Sequence, residues 1–195
     1  DISSLEGGFK EPDDTQSLVR LLLYANDFEI EGLIATYTIH WEGIKPEYIE
    51  AIVGAYGKVH SNLIKHDKRY PTEQYLINCI KAGNPKCGID EIGPGKDTEA
   101  SNWIIHVVDK PDPRPVWIIV WGAPTDLAQA LWRVSMERSP MEVASFKSKI
   151  RIYAIGDQYD ESGPWIKNNH PDLFYITSYR AMRGMYRGGD STLTS

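Results

Sequence analysis

The chain has 195 residues, of which 42% are hydrophobic and 25% charged, and a formal net charge of −6. That length and mixture suit one globular domain with a core of its own, and they exclude a disordered chain. The acidic balance, with no basic stripe to offset it, excludes a nucleic-acid partner, and the longest apolar runs, such as Val116–Val120, are too short to cross a bilayer.

Between Asp14 and Ala25 the residues Leu18, Leu21, Leu22 and Ala25 recur at helical spacing. Pro12 and a cap at Asp13 or Asp14 suit the start of that helix. A turn at Asn26-Asp27 leads into Phe28–Tyr37, where Ile30, Leu33, Ile34 and Ala35 read as a buried strand. Pro46–Val59 is a proline-opened helix with Ile49, Ile52, Val53 and Tyr56 on one face. Thr72 caps a further helix that runs to Ala82 and stops at Gly83, and the Gly- and Pro-rich stretch Asn84–Lys96 reads as a long loop. Cys79 and Cys87 flank this boundary, and a disulfide and two free thiols are both compatible with their spacing.

Asp97–Val108 returns to helix, with Ala100, Trp103, Ile104 and Val107 on one face. Pro115–Trp121 is a nearly continuous apolar run, the pattern of a strand covered on both faces, which puts Trp117 in the core with Trp103 and Trp132. Thr125–Val134 is helical, Ile150–Ile155 a strand, Gly163–Asn169 a short helix and Leu173–Ile176 a last short strand. Helices alternating with apolar strands give an α/β fold, a mostly parallel sheet with helices on both faces, and no repeat or linker divides it.

Open parallel sheets bind ligands at the carboxyl ends of their strands. The polar residues that follow the strand candidates are therefore the candidate site. They are Thr36, Thr38 and His40, then Trp121, Gly122, Thr125 and Asp126, then Gly156, Asp157, Gln158 and Asp160. Asp1, Glu11, Asp13 and Asp14 join them if Asp1 ends a strand whose body the chain lacks. Carboxylates gathered together repel unless a cation or a shared proton offsets them, and an oxygen-only set favours Ca²⁺ or Mg²⁺ over zinc. The plainer alternative is that Asp13 and Asp14 only cap a helix and complement its dipole. Trp41, Trp121 and Trp165, placed in loops near this rim, are candidates for stacking on a sugar ring.

Several segments carry a family resemblance. They are Asp1-Ile2-Ser3 with Glu11-Pro12-Asp13-Asp14-Thr15-Gln16-Ser17, Ile30-Glu31-Gly32-Leu33-Ile34-Ala35-Thr36, Gly95-Lys96-Asp97-Thr98-Glu99-Ala100-Ser101, Trp121-Gly122-Ala123-Pro124-Thr125-Asp126 and Tyr153-Ala154-Ile155-Gly156-Asp157-Gln158-Tyr159-Asp160. Along its length the chain resembles the nucleoside hydrolase-like domain of bacterial cellulose-binding proteins, distant relatives of the inosine–uridine preferring nucleoside hydrolases. The resemblance implies a single domain over residues 1–195 that lacks its first strand and its C-terminal part.

It also implies roles. Asp1 matches the aspartate that ligates calcium and acts as general base, Asp14 the second carboxylate on the metal, and Asp13 the one that grips ribose hydroxyls. The main-chain carbonyl of Trp121 matches a further calcium ligand. Beside these, His40, Trp41 and Trp165 are substrate-binding candidates by their place near the rim, and Asp157, Gln158 and Asp160 stand as substitutes where the family's ribose-gripping residues have no match. The chemistry of such a site is water activated by calcium and a carboxylate, with departure of the sugar as an oxocarbenium-like species. The chain departs from the hydrolase pattern at the insertion Ser4–Lys10, at Glu11-Pro12, and in having no match to the ribose-gripping Glu-Phe-Asn.

Two functions follow as expectations. The first is a calcium-dependent hydrolase of N-glycosidic or related glycosyl bonds. The second is a non-catalytic carbohydrate-binding module, cellulose being the implied ligand. Either way the partner is a nucleoside or a carbohydrate, with neither nucleic acid nor membrane, and a homo-oligomer is compatible with the pattern. By resemblance the protein is secreted or periplasmic.

Overall fold

The computed structural model of the protein describes residues 12–39, 43–158 and 161–179. Asp1, Glu11, His40, Trp41 and Asp160 lie outside the described residues. The elements in order are α1 (Pro12–Leu23), β1 (Leu33–Ala35), α2 (Pro46–His66), α3 (Glu73–Asn78), β2 (Ile80–Ala82), α4 (Glu99–Asp109), β3 (Val116–Val120), α5 (Thr125–Glu137), α6 (Pro140–Ser148), β4 (Ile150–Ala154), α7 (Ser162–Asn169) and β5 (Phe174–Thr177). All strand pairings are parallel, β1 with β2 in one sheet and β3-β4-β5 in another. Helices link the strands, as a parallel sheet requires.

Two apolar clusters divide the core. Leu18 and Leu22 of α1, Ile49, Ile52 and Val53 of α2 and Leu76 of α3 pack on Leu33 and Ala35, one face of β1. The other cluster joins Ile104 and Val108 of α4, Leu127, Leu131 and Val134 of α5, Phe146 of α6 and Ile166 of α7 to Val120, Ile150, Ile152 and Ala154. Ile34, between Leu33 and Ala35, packs against that second cluster. Because successive strand residues point to opposite faces, β1 has the α1–α3 layer on one side and the α4–α7 cluster on the other.

Three expectations need correction. The expected helix from Thr72 to Ala82 ends at Asn78, and Ile80–Ala82 is strand β2, where each residue pairs with one of β1. Thr72 does cap α3, its side chain accepting from the Tyr75 N–H. Strand β3 is covered on one face only: Val116, Ile118 and Val120 face the α4–α5 core, whereas Trp117 is 52% and Ile119 51% exposed. Trp117 therefore does not belong to the core, although Trp103 and Trp132 are half-buried. Helix α6 was not expected from the sequence; it opens on a capping box in which Ser139 and Glu142 bond each other's backbone N–H. Cys79 and Cys87 are free thiols, and burial pushes the Cys79 thiol up as it donates to the Ile30 carbonyl at 3.3 Å.

The expected loop before α4 holds its shape through side chains. Gln129, buried on α5, accepts from the Gly93 N–H at 2.7 Å and donates to the Gly93 carbonyl at 3.0 Å and to Asp97 at 2.8 Å. Thr98 and Ser101 form the capping box of α4.

Candidate functional site

Each helix that leads into a parallel strand runs antiparallel to it, so the starts of α1, α5 and α7 lie at the side where the strands end. The site is built from these helix starts and strand ends.

At the ends of β4 and β5 the rim is tightly bonded. Gly156 (φ 92°) and Asp157 (φ 48°) both take the left-handed conformation, which turns the chain sharply out of β4. Glycine adopts it freely, and aspartate more readily than most other side chains. The turn buries the Asp157 carboxylate, 6% exposed, against the Lys167 ammonium at 2.5 Å. The same carboxylate accepts from the Tyr175 hydroxyl at 2.7 Å and from Thr177 at 3.4 Å. A Cβ on Gly163 would come within 2.9 Å of Asp157, so the start of α7 approaches this closely only without a side chain. Asp157 thus spends its acceptor capacity on the protein itself. Nothing in the sequence pointed to Lys167 or Tyr175, because one lies mid-helix and the other on a strand with no charged neighbour in sequence.

Gln158 turns inward beside it, donating to the Ile155 carbonyl at 3.0 Å and to the Trp121 carbonyl at 3.4 Å. The Trp121 carbonyl, a ligand implied by the resemblance, therefore faces an amide donor. The Trp121 ring is half-buried against the cluster that α1, α2, α3 and β1 share. Trp165 lies within α7, not in a loop; it packs against the α4–α7 core and edge-on to His170, with ring centroids 5.7 Å apart.

Between these regions, at the start of α5, the buried Asp126 receives the Thr98 hydroxyl at 2.6 Å and the Asn84 N–H at 3.0 Å. Its donors are neutral, and burial, the largest influence, pushes its carboxyl above the usual carboxylate range. A side chain on Gly83, just past β2, would collide with this carboxylate and with the Ala35 carbonyl. Asp126 therefore joins the ends of β1 and β2 to α4 and α5.

Asp13 and Asp14 fall in the first turn of α1, where the helix dipole favours negative charge. Asp14 is buried and has a partner. Asp13 differs: its Oδ1 is buried and has no hydrogen-bond partner among the described residues. A buried carboxylate oxygen left unpaired is costly, and a cation or a donating hydroxyl would relieve it. In kind, the oxygens of Asp13, Asp14 and Trp121 suit calcium. Among the described residues, no three His, Cys, Asp or Glu side chains gather into a metal-holding group, so a calcium site here would draw further ligands from main-chain carbonyls or from residues such as Asp1.

Comparison with known proteins places this geometry. The family described as "Cellulose-binding Sde182, nucleoside hydrolase-like domain" matches residues 6–191. The chain belongs to this family. A solved structure from Saccharophagus degradans, a nucleoside hydrolase-related hypothetical protein associated with carbohydrate metabolism, superimposes with a TM-score of 0.85 at 40% sequence identity. The match covers 94% of this chain and 44% of that one, so the chain spans less than half the length of that relative. No curated protein matches the chain. Family and neighbour together bear out the α/β, nucleoside hydrolase-like fold expected from the sequence. Among the described residues no helix is long and apolar enough to cross a membrane.

Proposed function

We propose that this domain binds carbohydrate at its strand-end rim, with Asp13 as the polar anchor. The observation that carries the reading is the buried Oδ1 of Asp13, which has no hydrogen-bond partner among the described residues. A sugar offers closely spaced hydroxyl donors, and one of them bonded to this oxygen relieves its desolvation. Membership of a family described as cellulose-binding supports a glycan as the ligand. Asp157 contributes shape, since its oxygens are held by Lys167, Tyr175 and Thr177. His40, Trp41 and Asp160 are further candidates for ligand contact, with Trp41 and the half-buried Trp121 as stacking surfaces. Secretion or passage to the periplasm goes with this reading, because cellulose lies outside the cell.

The same oxygen favours a second reading, calcium-dependent hydrolysis of an N-glycosidic or related bond. There Asp13, Asp14 and the Trp121 carbonyl would hold the cation together with Asp1, which would also take a proton from the attacking water. Bound calcium would supply water activation near neutral pH. In this reading Asp13 orients sugar hydroxyls as well.

One titration series separates the two. Cello-oligosaccharides and nucleosides are titrated calorimetrically into the protein and into Asp13→Ala, each with calcium and with a chelator. Binding that survives chelation and falls by roughly tenfold or more in Asp13→Ala supports the binding module, as expected for a hydrogen bond to a charged group. Heat from calcium alone at one-to-one stoichiometry, with sugar release that stops in Asp14→Ala, supports the hydrolase. Equal affinities for every ligand in both proteins would remove Asp13 from the site.

A further inference from the structure

Lone exposed aromatics are ordinary on a protein surface, so their place in the fold decides whether they carry meaning. Tyr24 and Phe28 are exposed just past α1, at the side of the sheet opposite the rim where that helix begins. Trp117 and Phe174 lie within their strands and meet edge-on, their centroids 5.9 Å apart, which gives no flat platform. Tyr179 is different. At 72% it is the most exposed aromatic among the described residues, and it follows β5 at the side where the strands end.

The bonding of the sheet carries Tyr179 to that place. Pairing continues past the strands, with the Ser178 N–H donating to the Ala154 carbonyl at 2.9 Å and the Ile155 N–H to the Val120 carbonyl at 3.0 Å. Tyr179 then leans on the turn out of β4. Its Cδ1 lies 3.9 Å from where a Cβ on Gly156 would stand, and the Gln158 Cγ lies 3.7 Å from the same point. The turn itself offers little to a ligand. Gly156 has no side chain, the Asp157 carboxylate is held by Lys167 and Tyr175, and Gln158 spends its amide N–H groups on the Ile155 and Trp121 carbonyls. Among the described residues, this stretch of the rim presents the Tyr179 ring and, beside it, the Gln158 amide as an acceptor. That pair suits a sugar, whose C–H face packs on the ring while a hydroxyl donates to the amide oxygen.

We propose that Tyr179 forms a second sugar subsite on the rim, and that the ligand is an oligosaccharide of several rings, not a single sugar or a nucleoside. The inference rests on the carbohydrate reading of Asp13. Val120, Ala154 and Thr177 stand in line in the sheet register. The end of β5 therefore lies two strand spacings, about 10 Å, from the end of β3, where Trp121 stands. One pyranose ring does not span that distance; a chain of rings does.

The test compares cellotetraose with methyl β-glucoside, a single ring. Each is titrated by ligand-observed NMR into the full-length protein, Tyr179→Ala, Tyr179→Trp and Asp13→Ala. The expected result is cellotetraose binding that falls roughly tenfold in Tyr179→Ala and is kept in Tyr179→Trp, as for a lost stacking contact. The single ring binds the parent and Tyr179→Ala equally. Cellotetraose also slows nitration of Tyr179 by tetranitromethane in the unmutated protein, read by peptide mass spectrometry, a measurement that needs no variant to fold. Cellotetraose affinity unchanged in Tyr179→Ala but weakened in Asp13→Ala, with Tyr179 nitrated at the same rate throughout, would overturn the subsite and leave the carbohydrate reading standing. An equal loss for both ligands in Tyr179→Ala would overturn the several-ring ligand. No binding of either ligand to the parent would remove the carbohydrate reading and the subsite with it.

Discussion

Asp157 and Asp13 are both carboxylates at the edge of the core, and the protein treats them in opposite ways. Asp157 meets an ammonium, a phenol and a threonine hydroxyl, all from α7 and β5. Asp13 keeps one buried oxygen without a partner among the described residues. Asp126 stands between them, fully bonded but by neutral donors alone. A saturated carboxylate acts as a joint, and its loss should be felt in stability. An unsaturated one is a liability in the folded protein, and its loss should be felt in binding.

The comparison is sharpened first at Asp126. Asp126→Ala strands two donors, the Asn84 N–H and the Thr98 hydroxyl, and should cost on the order of 3 kcal/mol in urea unfolding. A change below about 0.5 kcal/mol would mean that water replaces the carboxylate and that Asp126 is no joint. Next comes Gly163→Ala, which pushes a methyl group against the Asp157 carboxylate and should cost about 1–3 kcal/mol. An unchanged unfolding midpoint would show that α7 can move away freely.

The pH dependence should follow from two buried groups of opposite sign. Burial, chiefly, holds His170 below its ordinary 6.5, and its Nε2 is buried without a partner among the described residues. The unfolded chain therefore takes up the proton first, and stability falls as pH drops below about 6.5. His170→Phe should flatten the slope of the urea midpoint between pH 7.5 and 5.5; an unaltered slope would assign it to other groups. Asp126, whose folded value is raised, acts the other way. Its contribution is complete below the ordinary carboxylate range and is lost as pH rises through its folded value. The smallest effect on stability is expected at Asp13→Ala, within about 0.5 kcal/mol of the parent or more stable, because the substitution removes an unpaired buried oxygen. A loss of several kcal/mol there would make Asp13 a joint like Asp126 and weaken its role as a ligand anchor.

Much of the fold was legible because local periodicity carried it. Ile49, Ile52, Val53 and Tyr56 repeat at helical spacing and are all buried in α2. Ile150, Ile152 and Ala154 alternate and are buried in β4. The capping box at Ser139 and Glu142 marks the start of α6 just as locally, where apolar periodicity gives no sign of the helix. Strand β2 was harder, since three residues directly after a helix carry no period of their own and become a strand only by pairing with β1. Trp117 misled for the reverse reason, because an apolar run looks the same whether or not something covers its second face.

At the site, the sequence by itself determined that carboxylates and amides follow the strands, since strand ends and helix starts are local features. Their states were decided only by the tertiary structure. Lys167 reaches Asp157 across ten residues, Thr98 reaches Asp126 across twenty-eight, and Gln158 reaches the Trp121 carbonyl across thirty-seven. Whether a buried carboxylate is paired depends on which side chains the fold brings within about 3 Å of it, and no short stretch of sequence contains that distance.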